Sequence, residues 1–367
     1  MKKIIVCLAA FVALATSPAI AWNRSGDMDE VILGPGATAK KIQAALDGLP
    51  KDGGTVALRP GVYVIDRPLS LSRDNQTLRG AGQATVLRLA GNANCPLLVM
   101  GTLESYPTRV VHNLRVSDLD LDGNRTNQEA ECWVTPTGEG SEIRNNGLTI
   151  RGATDCFIER IRCYRARSGG LVTEKGVRRL TVSDYAAWDN QFDGLAAYET
   201  EDSVFNRLIL RGNPGAGLSL DRGFRHNIIS DAVAVENGTG IFMRHSCDNL
   251  FQGLTIRGSK ENGVFMAQTA IAVTNMVAEQ SVATSASAGQ TPRMRAVIAW
   301  IPTPNTECTG NVFSGLLITD SVGAGFLLNN DTCVNNVIQS ARFARNGVGG
   351  LCESKPGLAK IQGIMEQ

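Results

Sequence analysis

A glycine followed by an aliphatic residue, a variable residue and usually a second apolar one recurs along this chain. It reads NGLTI at 146, GGLVT at 169, DGLAA at 193, AGLSL at 216, TGIFM at 239 and NGVFM at 262. The glycines at 147, 170, 194, 217, 240 and 263 are 23, 24, 23, 23 and 23 residues apart, and the frame returns at Gly325 and Gly350. A fixed period of this length means stacked units, each burying its apolar face on the next. Helical units need apolar residues at i, i+3, i+4 and i+7. Here they alternate, as in Leu148/Ile150, Leu218/Leu220 and Ile241/Met243, which is the spacing of strands. Clusters of Gly, Asn, Asp and Ser between the runs mark turns. The chain is therefore expected to be all-β, a parallel β-helix (solenoid) with one short-stranded coil per repeat.

Asn206, Asn227, Asn249, Asn311 and Asn336 each precede an apolar pair. In phase on stacked coils, their amides are expected to form a ladder inside a turn. A solenoid exposes its core at each end and needs caps. The segment GATAKKIQAALDGLP supplies an N-terminal capping helix, with Thr38 as N-cap, Ile42, Ala45, Leu46 and Leu49 on one face, and Pro50 as the stop. The expected organisation is a signal peptide at 1–21 and one β-helix domain at 22–367. Within it lie an N-terminal cap at about 30–60, regular coils at about 110–266, a loop insertion at about 267–306, and last coils with a C-terminal cap at 307–367.

The start has a secretory pattern: Lys2 and Lys3, an apolar run from Ile4 to Ala15, and Ala19-Ile20-Ala21 as the cleavage site. That run is too short to span a bilayer, so the expected location is periplasmic or extracellular, with no membrane insertion. Lys and Arg number 36 against 35 Asp and Glu, and losing Lys2 and Lys3 leaves the acids one ahead. A balanced chain argues against a nucleic-acid partner. Such a compartment permits disulfides. Cys308 and Cys333 occupy similar turn positions 25 residues apart and are expected to pair.

The stretch IQAALDGLPKDGGTVALRPGVYVIDRPLSL, with NQTLRGAGQATVLRL and VSDLDLDGN after it, resembles the start of secreted, pectate-lyase-like β-helix proteins. The repeats from 146 to 266 are similar to those of right-handed β-helix carbohydrate enzymes, including mannuronan C5-epimerases and alginate lyases. The resemblance implies a right-handed coil and a polysaccharide partner. It does not extend to motifs of known chemistry. The epimerases' Tyr-Gly-Phe-Asp-Pro-His is replaced by Asp193-Gly194-Leu195-Ala196-Ala197-Tyr198, and the polygalacturonase motifs are absent.

If Leu218 and Leu220 point inward, Gly217, Ser219 and Asp221 point outward. Applied to every coil, this parity gives two outward columns: Thr149, Val172, Ala196, Ser219, Phe242, Phe265, and then Arg151, Glu174, Tyr198, Asp221, Arg244, Ala267. Glu174, Tyr198, Asp221 and Arg244 then form a polar strip about 15 Å long at the stacking distance of parallel strands. Lyase or epimerase chemistry on a uronic acid needs a cation to neutralise the carboxylate, a base for the C5 proton and an acid for the leaving oxygen or opposite face. Arg244 or Arg222 would neutralise, Tyr198 and His245 exchange protons, and Asp221 orient them. Ser219, Phe242 and Phe265 would bind substrate, the two rings offering a flat surface to sugars. Glu174 and Asp221, two coils apart, would instead suit inverting glycoside hydrolysis. A non-catalytic polysaccharide-binding β-helix is the third reading. Asp118, Asp120 and Asp122 alternate along one strand and would suit Ca²⁺ as well as they suit a solvated face. No cofactor or metal is otherwise expected. Trp133, Arg144, Arg293, Arg295 and Trp300, in the segments that break the period, would build cleft walls.

Overall fold

The computed structural model describes residues 30–133, 143–279, 298–300, 310–328 and 334–367. Each coil supplies strands to parallel ladders that run the length of the molecule. In one ladder Leu148 lies beside Leu171, Leu171 beside Leu195, Leu195 beside Leu218, Leu218 beside Ile241 and Ile241 beside Val264. A second ladder stacks Arg115–Asp122, Phe157–Tyr164, Thr181–Trp188, Val204–Arg211 and Ile228–Val235. The alternation read from the sequence sets the core. Leu148, Ile150, Leu171, Leu195, Leu218, Leu220, Ile241 and Met243 are buried inside the stack. Helix Ala39–Gly48 covers the first coils, its Lys41 N–H donating to the Thr38 hydroxyl at 3.2 Å and its Ile42 and Leu46 fully buried.

The glycine of the frame does not face outward, as strict alternation implies. A Cβ on Gly217 would come within 2.7 Å of the Asn237 amide nitrogen, and one on Gly170 or Gly240 within 2.4 Å of the next coil's glycine carbonyl. The glycine persists because adjacent coils touch there, backbone on backbone.

Two asparagine ladders run through the turns. Asn227 donates to Asn249, and Asn311 to Asn336, at 3.1 and 2.9 Å. Asn206 is not part of this ladder: it sits within a strand between Ser183 and Ser230, and Ser203 occupies the ladder position instead. The second ladder, Asn190, Asn213 and Asn237, lies at another turn and is fully buried. Such amides satisfy turn N–H groups that water cannot reach.

Strand Val264–Glu279 continues both ladders, so regular coil extends through Glu279 and the insertion does not begin at 267. Cys308, Cys333, Arg293 and Arg295 lie outside the described residues, as does the proposed signal segment. Among the described residues no helix is long and apolar enough to cross a membrane.

Candidate active site

The outward strip exists in the expected register. Arg151 lies beside Glu174 and Tyr198 beside Asp221, with Arg244 one coil further on beside Ala267. Parity does not say where the residues that follow Glu174, Tyr198, Asp221 and Arg244 point; of these Arg222 and His245 are expected in the site for their chemistry, Lys175 and Glu199 are not. Lys175, Glu199, Arg222 and His245 all adopt left-handed backbone, with φ of 58°, 49°, 55° and 49°. That conformation reverses the alternation, so a second polar column runs beside the first.

Over three neighbouring coils these columns line a cleft of about 590 Å³, whose wall includes Glu174, Lys175, Asp193, Tyr198, Arg222 and Arg144. Of the residues singled out from the sequence, the cleft thus gathers Tyr198, Glu174, Arg222 and the wall residue Arg144. Asp221, Arg244 and His245 lie just beyond it as a cluster of their own. The Arg244 guanidinium donates to the Asp221 carboxylate at 2.6 Å, and His245 Nδ1 is 3.6 Å from it. Asp221 is buried and Arg244 exposed, so this pair offers solvent one side of a guanidinium already engaged. Phe242 and Phe265 stack face to face, with centroids 4.9 Å apart and planes 7° from parallel. Each ring thereby covers one face of the other, so the two do not lie side by side as the single flat surface expected. Trp133 packs against the core. Trp300 lies in strand Ile298–Trp300 beside Met266.

The aspartate triad is absorbed by arginines. Asp118 pairs with Arg160, Asp120 with Arg162, and Asp122 with Arg165 and Arg88. Asp118 is itself left-handed (φ 58°), which breaks the shared strand face assumed for the three.

Asp193 is the residue that the reading of columns leaves out. It precedes the frame glycine, and its Oδ1 accepts the Ala216 N–H at 2.6 Å. Two coils earlier Asn146 does the same for the Gly169 N–H at 3.0 Å. An amide therefore suffices for the structural bond, and a carboxyl at 193 adds chemistry. Burial pushes the Asp193 carboxyl up to about 6, opposed by the Ala216 hydrogen bond and the positive charge of Arg144. Burial also raises the Tyr198 phenol, helped by the negative charge of Asp193 and opposed by Ser219 and Arg222. Tyr198 is thus a neutral phenol at physiological pH beside a carboxyl that is mostly ionised. Two guanidinium groups flank them. Arg222 lies 5.3 Å over the Tyr198 ring, and Arg144 5.4 Å over Phe192 while pairing with Glu131 at 3.5 Å. Glu174 is anchored at 3.4 Å by the fully buried Arg151.

The fold is that of a right-handed parallel β-helix, and the family model described as "Right handed beta helix region" matches residues 129–278. Mannuronan C5-epimerase AlgE3 of Azotobacter vinelandii is 29% identical over 234 residues, which cover 60% of this chain and 12% of that protein. Alginate lyase 7 of the same organism is 28% identical over 189 residues, covering 49% of this chain and 21% of its own. The chain thus spans about a fifth or less of the length of these curated relatives. Among solved structures, the A-module of Azotobacter vinelandii mannuronan C-5 epimerase AlgE4 superposes with a TM-score of 0.69 at 21% identity, covering 91% of this chain and 94% of that one. That last likeness is one of fold.

Proposed function

We propose that this protein is a periplasmic or extracellular enzyme that modifies an acidic polysaccharide by removing the proton at C5 of a uronic acid, most directly by lyase-type β-elimination. The observation that carries the reading is the Asp193–Tyr198 pair in one cleft with Arg144 and Arg222. A guanidinium draws charge from the uronate carboxylate and makes C5–H acidic. The Asp193 carboxylate, weakly solvated and with a proton affinity near neutrality, takes that proton. The Tyr198 phenol donates its own to the glycosidic oxygen leaving C4. The C5–H and C4–O bonds break and a C4=C5 double bond forms; Asp193 ends protonated and Tyr198 ends as a phenolate, and a proton passes from the one to the other through solvent before the next turnover. Delivering the phenol proton to the opposite face of C5 gives epimerisation from the same groups. The epimerase and lyase relatives support the substrate class.

A second reading has its own support. A carboxyl with raised proton affinity is what a glycosidase needs as general acid, and Glu174 lies across the same cleft as a base for water. Products separate the two. Incubation with a panel of uronans and neutral glycans, reading near-ultraviolet absorbance and reducing ends together, should give both signals from a uronan. Reducing ends without absorbance would transfer the site to hydrolysis, and unchanged glycans throughout would remove the enzymatic reading.

A further inference from the structure

We infer that the cleft is blind at its N-terminal end, so that the protein engages the termini of polysaccharide chains and not their interiors; this rests on the uronan reading of the same cleft. The column that contains Val99 and Thr149 is buried there and equally at Val172 and Ala196 in the cleft wall, but in the strip column the long charged Arg151 is fully buried where Glu174 and Arg244 are not. Protein therefore covers the strip at Arg151. Part of the cover is the segment between Gly101 and Val110. Its Ser105 carbonyl accepts from Arg151 Nη2 at 2.9 Å, over the coil where the polar strip begins. Gly101, at φ +118°, follows Met100 in the ladder and is where the segment leaves the coil stacked on Arg151, a Cβ there lying 2.0 Å from the Arg151 carbonyl.

The segment is tied within itself and to the neighbouring coil. Thr108 donates to Glu104 through both its N–H and its hydroxyl at 3.2 and 2.9 Å, and Arg109 pairs with Asp74 at 3.2 Å. Its Tyr106 ring stands at the mouth of the cleft, with the Lys175 ammonium 4.4 Å from the ring centroid. Along the strip, side-chain exposure is 0% at Arg151, 19% at Glu174, 6% at the ion-paired Asp221 and 46% at Arg244. Among the described residues the strip is closed before Glu174 and opens toward Arg244. A glycan laid along it must end near Glu174 and Lys175.

The test is equilibrium binding of the full chain to one polyuronate, cut by mild acid to a series of lengths and compared at equal mass. Bound protein at saturation should rise by the same factor as the number of chain ends, and capping one type of end by reduction should show which end is held. Capacity that follows total sugar at every length overturns the blind end and leaves the uronan reading standing. Failure to bind at any length overturns both. Turnover reports the same property independently: mono- and disaccharides from the first minutes support it, and an early spread of long fragments overturns it.

Discussion

Asp193→Asn puts the proposed base to its sharpest test, because it should make the protein more stable and less active at once. Asp193 binds its proton more tightly in the folded chain than in the unfolded one, since burial raises its affinity from the ordinary 3.8 to about 6. Below about pH 4 the carboxyl is protonated in both states and folding is unaffected. Between these values the unfolded chain loses the proton first, and stability falls as pH rises. Above about pH 6 the folded protein carries the whole penalty, which at roughly 1.4 kcal/mol for each tenfold change in proton affinity is at most about 3 kcal/mol, and less in so far as the half-buried side chain meets solvent in the cleft. Asparagine removes the charge and keeps the bond to the Ala216 N–H, as Asn146 does for Gly169. The variant should therefore match the parent near pH 4 and exceed it at pH 8. With about 2.1 cal/mol/K of unfolding entropy per residue over 367 residues, the rise in Tm is at most about 4 °C. Turnover should drop by about 10²–10⁴-fold, the usual contribution of a positioned proton acceptor. Thermal melts at the two pH values and initial rates on the same preparations measure both effects. Equal melting temperatures at pH 8, or a variant retaining full turnover, would refute the reasoning.

Tyr198→Phe should lose about 10²-fold or more in rate with no loss of Tm; retained turnover excludes the phenol as the acid. Arg222→Gln should raise KM for uronans and leave binding of neutral glycans untouched, which isothermal titration against both ligand types can resolve. Asn213→Ala removes the acceptor for the Asn190 side chain and N–H and the donor to Asn237, and should cost about 1–3 kcal/mol in a chemical melt. A smaller loss would mean that water replaces the amide.

One local rule and its exceptions explain which features were legible in the sequence and which were hidden. Strict alternation correctly buries Leu148, Leu171, Leu195 and Leu218 and turns Glu174, Tyr198, Asp221 and Arg244 to one side, because extended backbone alone generates a period of two. It fails wherever a single residue turns left-handed, since one such residue reverses every direction after it. Lys175, Glu199, Arg222 and His245 do this beside the strip, while Asp118, Arg160, Asp184, Arg207 and Asp231 do it within the second ladder. These are polar, mostly charged residues, not the glycines that usually announce positive φ, so composition gives no warning. Their long side chains offset part of the backbone cost by pairing across coils, as Arg160 does with Asp118 and Arg207 with Asp184. Asp193 was hidden for another reason. It sits at a turn, where Asx residues are expected for their own sake, and only the comparison with Asn146, which does the same structural work without a charge, separates the carboxyl's chemistry from its architecture. The frame that persists from coil to coil thus records stacking. The candidate site lies where a residue departs from what stacking alone requires.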